Sequence, residues 1–222
     1  KSEGYMKNIL KVASMALVLS LTLFGITNKA SAAKLTLYCS VEIDVCEMLE
    51  QAYEKETGTK VAMTRASSGE TFAKIKAEAS NPKGDVWFGG TGDPHLTAAQ
   101  ENLTEKYKSV HFNDLLPAAQ NQAKNADFKS VGIYVGALGF GYNKDLLAKK
   151  GLPAPKSWMD LTKPIYKGEI QVANPNSSGT AYTTLATILQ IFGEDKGWDY
   201  MKKLHANINT YTKSGSAPIK AT

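Results

Sequence analysis

The amino-acid sequence predicts an α/β protein with parallel strands, arranged as two lobes. Short apolar runs alternate with stretches of helical periodicity, the pattern of strand–helix units stacked into a sheet. Gly, Pro and Asn mark the boundaries between them. Near Val131 the alternation breaks, because two short apolar runs follow one another without a helix between them.

The elements follow in order. Leu35–Tyr38 is the first strand, and Val45, Met48, Leu49 and Ala52 then recur at helical spacing until Gly58 stops the helix. Val61–Thr64 is the second strand, and Phe72, Ile75 and Ala79 mark a helix face ended by Asn81-Pro82. Asp85–Phe88 is the third strand, bounded by Gly89-Gly90, and Leu96, Ala99 and Leu103 mark the next helix. Val131–Val135 and Gly139–Asn143 are expected as two close strands, with the crossing between lobes at 131–140. Lys149–Pro155 reads as a loop and Trp158–Leu161 as the start of a short helical element. Glu169–Ala173 is a strand, and Ala181, Leu185, Ile188, Leu189 and Phe192 form one face of a well-patterned helix. Trp198, Met201 and Leu204 suggest one more helix, and Ile208–Tyr211 one more strand. The expected organisation is therefore a targeting segment over 1–32, a first lobe over 33–132 and a second over 133–222.

The targeting segment rests on Lys7 and Lys11 after Met6, the apolar run Val12–Ile26, and Ala30-Ser31-Ala32, a small-x-small pattern for cleavage after Ala32. The run is about 15 residues, short of the ~20 that span a bilayer. No lipidation Cys follows it, so an exported soluble protein is expected. Residues 1–32 hold four Lys and one Glu, so the formal charge falls from +5 to +2 without them. A nucleic-acid partner gains little support from that balance. Cys39 and Cys46 are the only cysteines. Export permits a disulfide clipping the strand–helix loop, but two buried thiols fit the sequence equally well. Without a second pair or a nearby His they do not make a zinc site.

Three turns share one chemistry: Ser67-Ser68-Gly69-Glu70, Asn176-Ser177-Ser178-Gly179-Thr180-Ala181, and Lys213-Ser214-Gly215-Ser216-Ala217-Pro218. Each follows a strand and opens a helix. Hydroxyls beside glycine at a helix start leave backbone N–H groups and a partial positive charge facing outward, which suits carboxylate or phosphate. Ordinary N-capping uses the same residues. Ligands of open α/β sheets, however, lie beyond the carboxyl ends of the strands, where all three turns fall. A fourth turn, Gly89-Gly90-Thr91-Gly92, permits close backbone approach but lacks dinucleotide-binding spacing. His95 after it either meets a ligand or caps the helix, with capping slightly favoured. The motifs of P-loops, zinc proteases and serine hydrolases are missing, and His95, His111 and His205 are scattered. No catalytic residue and no resident cofactor or metal is assigned. An exported enzyme on this fold and a secreted scaffold module are the lesser alternatives.

Several stretches resemble the periplasmic solute-binding proteins of the ferric-ion-binding type. They are Leu35–Tyr38 with Tyr53-Glu54-Lys55-Glu56-Thr57-Gly58, Asp85-Val86-Trp87-Phe88, Gly139-Phe140-Gly141-Tyr142-Asn143, Trp158-Met159-Asp160-Leu161, Tyr166-Lys167-Gly168-Glu169-Ile170, Asn174-Pro175 and Ser178-Gly179-Thr180. The resemblance covers nearly all of 34–222. It implies a type II two-lobed clamp, a ligand in the cleft, and docking on the membrane permease of an ABC importer, with the protein a periplasmic monomer. It also implies that the family fold continues past Thr222. Ferric binders place a His just after the first strand, where this chain has Glu42, and a Glu after the third, where it has Gly89-Gly90-Thr91. Their paired tyrosines would fall beyond Thr222. Fe(III) prefers anionic oxygen ligands, so the glycine- and hydroxyl-rich version is more similar to relatives that bind small anionic solutes, sugar phosphates included. Ferric iron, as transported ligand, is the second reading. The expected ligand residues are Ser67, Ser68 and Gly69 from one lobe and Ser178, Gly179, Thr180 and Ala181 from the other, with Ser40, Glu42, Gly90, Thr91 and Ser214 behind them.

Overall fold

The structure is a computed structural model and describes residues 34–221; the expected targeting segment and cleavage site lie outside the described residues. From Leu35 onward the chain forms one compact unit. Its first half is β1 (Lys34–Cys39), α1 (Ile43–Thr57), β2 (Lys60–Arg65), α2 (Ser68–Ala77), β3 (Val86–Phe88) and α3 (Gly92–Gln100). The strands lie in the order β2-β1-β3, with β1 and β3 parallel and Cys39 opposite Phe88. Gly58 ends α1 in the left-handed conformation at φ 70°, donating its N–H to Glu54 O, the conformation that favours glycine at a helix end.

After α4 (Pro117–Asn125) and α5 (Lys144–Lys149), two 3-10 turns at Trp158–Thr162 and Pro164–Tyr166 lead into the second half. This half holds β4 (Ile170–Ala173), α6 (Gly179–Phe192), α7 (Glu194–His205), β5 (Ile208–Thr212) and α8 (Ala217–Ala221). Strands β4 and β5 pair in parallel as a separate sheet. Among the described residues no helix is long and apolar enough to cross a membrane.

The expected strands at 131–135 and 139–143 do not form. A strand needs a neighbour to complete its hydrogen-bond ladder, and no described strand runs beside this stretch. Its apolar side chains Val131, Ile133, Tyr134 and Val135 are exposed. Asn143, expected to end a strand, instead caps α5, its Oδ1 accepting from the Asp145 and Leu146 N–H groups at 3.1 and 3.0 Å.

Each sheet has its own core. Leu37, Cys39 and Cys46 are buried in the first, with Val61, Met63 and Phe88 packed against them. Ile188, Tyr200 and Leu204 form the second, covered by Trp158, Leu161, Ile170 and Phe192. Trp198, expected on the buried face of its helix, is exposed, because α7 turns Gly197, Tyr200 and Leu204 inward instead. Cys39 and Cys46 are joined in a disulfide with their Cα atoms 6.0 Å apart, which decides between the two readings of the sequence. The bridge ties the end of β1 to the first turn of α1, and closing so short a loop contributes about 2.5 kcal/mol in the chain-entropy picture. It thereby fixes Ser40–Glu42, at the carboxyl end of the sheet.

Candidate functional site

Three helices, α2, α3 and α6, begin at hydroxyl-bearing residues: Ser67, Thr91 and Ser178 occupy their N-cap positions. The fold brings these starts together. The Thr91 N–H donates to Ser68 Oγ at 3.3 Å. The Gly69 N–H donates across to Ser177 O at 3.0 Å. The Ser67 and Ser177 hydroxyls both donate to Lys213 O, at 3.3 and 2.9 Å. All four sequence turns thus meet in one cluster, where three N-terminal dipole ends sum to a positive potential. Ser67, Ser68 and Ser178 are buried in it.

The close approach is possible only because the contact points lack side chains. A Cβ on Gly69 would stand 2.9 Å from Ser177 O and collide with Asn176 O. A Cβ on Gly179 would collide with Thr91 Oγ1 and stand 2.8 Å from Ser68 Oγ. Gly215 faces Thr180 in the same way, at 2.6 Å from its Cβ. Thr91 Oγ1 at this junction is a buried hydroxyl without a hydrogen-bond partner among the described residues. Such an orphan costs about 1–3 kcal/mol, and its neighbours are Ser68 and Gly179.

The other expected residues are placed around this centre, several with work of their own. Ser178 Oγ accepts from the Ala181 N–H at 3.4 Å, so these two form a helix cap. Ser40 is buried, its Oγ accepting from Trp87 Nε1 at 2.9 Å and lying 3.1 Å from Thr71 Oγ1. Its hydroxyl supports the turn rather than pointing into the cluster. Gly90 sits at φ 90°, in the left-handed region, and the Tyr134 hydroxyl bonds both its N–H and its carbonyl at 2.8 Å. Ser214 Oγ lies 3.4 Å from Ser216 Oγ. His95 does not cap α3, because it lies inside the helix. It stacks on Trp87 at 3.6 Å and Nε2 donates to Gly89 O at 2.8 Å. Burial pushes its pKa below the usual histidine value, so it is neutral at pH 7 and serves as a prop beneath the Gly89-Gly90 turn.

Glu42 is held by Lys220, Oε2 to Nζ 2.8 Å, with Ser216 close by. The Lys220 ammonium foremost, then the nearby Ser216 hydroxyl and the Arg65 charge, hold its carboxyl below the usual carboxylate range. Tyr134 and Lys220 were not anticipated. Their partners Gly90 and Glu42 lie 44 and 178 residues away, so no local sequence signal marks them. Among the described residues, no three His, Cys, Asp or Glu side chains gather as metal ligands.

A cavity of about 1120 Å³ runs up to the cluster, lined by Trp87, Gly90, Thr91, Gly92, Phe128 and Tyr134 among others. It exceeds the ~300–1,000 Å³ usual for small-molecule sites. It runs along β3, an edge strand of the first sheet, and past the loops at 101–107 and 128–134.

Known proteins share this architecture. An uncharacterised protein of Haemophilus influenzae is 43% identical over 212 residues, covering 95% of this chain and 61% of its own. The periplasmic binding protein AfuA from Actinobacillus pleuropneumoniae, solved with fructose 6-phosphate bound, superimposes with a TM-score of 0.82 at 46% identity, covering 86% of this chain and 60% of AfuA. Iron-bound HitA from Pseudomonas aeruginosa matches at TM-score 0.63 and 20% identity, covering 85% and 59%, a likeness of fold alone. The chain thus spans about 60% of the length of these proteins, and its fold is the type II periplasmic-binding-protein fold with that part of it present. The family model for bacterial extracellular solute-binding proteins matches residues 85–220, and the chain, placed in the periplasm by that kinship, belongs to this family.

Proposed function

We propose that the chain captures a small anionic or phosphorylated solute at the junction of its hydroxyl turns, as the extracytoplasmic component of an ABC importer. The observation that carries this is the convergence of three helix N-termini on an orphan hydroxyl, Thr91 Oγ1. Helix starts supply N–H donors and positive potential, and the glycines let these starts close on one another around Thr91 and Thr180. The bound ligand of AfuA, a sugar phosphate, has the matching chemistry. Gly179, Thr180, Ser68 and Thr91 would hold the anion, with Ser67, Gly69, Gly90 and Ser214 shaping the walls. In this reading 33–132 and 133–222 are the two lobes, 131–140 is the hinge, and residues 1–32 are a signal peptide with its upstream residues, removed on export. The protein acts as a monomer that delivers solute to a membrane permease, and it binds without catalysing a reaction.

Calorimetry with fructose 6-phosphate, and with fructose as the uncharged control, tests the reading. Each charge-assisted hydrogen bond is worth about 1.5–3 kcal/mol, so losing two or more should make fructose bind at least ~100-fold more weakly. Equal binding of the two sugars would refute an anion site.

A further inference from the structure

The short helix that follows the third hydroxyl turn already holds an anion, and that anion belongs to the protein. The Glu42 carboxylate reaches from the end of β1 to the Lys220 ammonium in α8 at 2.8 Å, with the Ser216 hydroxyl beside it. Among the described residues this is the sole ion pair joining the first half of the chain to the second. Both partners are well exposed to solvent, so neither is locked in place by packing. Ser216 adjoins Gly215, which lies against Thr180 of the anion cluster. A hydroxyl plus a flexible ammonium is a complete recognition pair for a phosphate or carboxylate oxygen. Lysine suits the role because its charge sits on a mobile stem with three donors.

We propose that Lys220 is a ligand-binding cation of this site, and that Glu42 is its internal stand-in ligand, exchanged for the solute's anionic group on binding. This rests on the anion-site reading above and extends it to a residue outside the turns. While Glu42 holds Lys220, the pair keeps the two halves in register and spares the ammonium an unpaired state. When the anionic solute arrives, it takes over the Lys220 donor and recruits the Ser216 hydroxyl beside it, and Glu42 turns to water. Glu42 therefore acts as a competitor, and the affinity of the site is set by the difference between the two anions. A weakly bound anion would lose that competition, so the pair also sharpens selection for multiply charged groups.

The test is a double-mutant cycle read by fructose 6-phosphate titration of the chain, with thermal melts to establish folding. Exposed ion pairs are worth about 0.2–1 kcal/mol, which converts to roughly 1.4- to 5-fold in affinity. E42Q should therefore tighten binding by up to about fivefold, and K220M should weaken it and flatten its dependence on salt. In the K220M background the gain from E42Q should vanish, because there is no ammonium left to release. Persistence of the gain in that background would show that Glu42 acts only through its general field, which overturns the exchange. Unchanged or weaker binding by E42Q would overturn it too, reducing the pair to a structural stitch. S216A provides a second probe, weakening binding in the same direction as K220M. Absence of fructose 6-phosphate binding by the wild type would instead bring down the anion-site reading, and this inference with it.

Discussion

Gly179→Ala is expected to lower affinity for fructose 6-phosphate by about 5- to 150-fold while leaving each sheet folded. The added Cβ would collide with Thr91 Oγ1 and come within 2.8 Å of Ser68 Oγ. Thr91 starts α3 and Ser68 starts α2, so neither can yield without moving a helix end. Overpacking of this kind costs about 1–3 kcal/mol. A ligand that binds across the junction must supply that free energy to bring the two sides together, which converts to the stated loss. The sheets β2-β1-β3 and β4-β5 have separate cores, so the melting temperature should fall far less than affinity does. Calorimetry beside a thermal melt reads both quantities. A large fall in stability with unchanged affinity would make Gly179 a packing residue only.

Ile188→Ala should show the reverse balance, destabilising the chain by about 2–5 kcal/mol with little effect on affinity in protein that stays folded. Ile188 is fully buried at the centre of the second core, among Tyr200, Leu204, Trp158 and Ile170. Truncation forfeits its transfer free energy and leaves a cavity between α6 and α7, a loss at the upper end when the surroundings cannot collapse. The Tyr200 hydroxyl bond to Trp158 O at 2.8 Å pins one wall of that cavity. On the same helix Ile191 is half exposed, and Ile191→Ala should change stability by no more than about 0.5 kcal/mol. Urea melts of the two variants make the comparison, and equal losses would contradict this placement of the core.

Much of the fold was legible because burial and periodicity coincide. Strands β3 and β4 lie where short apolar runs end at Gly89 and at Asn174-Pro175, and Ile188 sits on the helix face that the spacing picks out. What failed had a physical reason in each case. Val131–Val135 has the composition of a strand, but composition supplies no neighbour for its backbone groups. The α4 helix buries only Ala123 and carries no apolar stripe to reveal it. Trp198 fits the helical spacing, yet the helix turned its smaller Gly197 toward Leu189.

The site was legible as chemistry and illegible as geometry. Hydroxyls beside glycine announced which turns could face an anion. They could not announce that Ser67 and Lys213, 146 residues apart, share a hydrogen bond. Nor could they show that Ser178 serves its own helix, or that Ser40 serves Trp87. Glu42 stood out as a ligand candidate by its place after β1, but its partner Lys220 lies at the far end of the sequence. Thr91 gained weight only when its hydroxyl was found buried without a partner beside Gly179.

The converging turns, and not the Trp87–Phe128–Tyr134 end of the cavity along β3, should receive the anion. A crystal structure of the chain with fructose 6-phosphate addresses this most directly. Phosphate oxygens should lie within about 3.2 Å of the Gly179 or Thr180 N–H groups and of the Thr91 or Ser68 hydroxyl, the ordinary hydrogen-bond range. Density for the phosphate in the cavity between Trp87, Phe128 and Tyr134, with the Ser68–Thr91 and Gly69–Ser177 contacts unchanged, would contradict it.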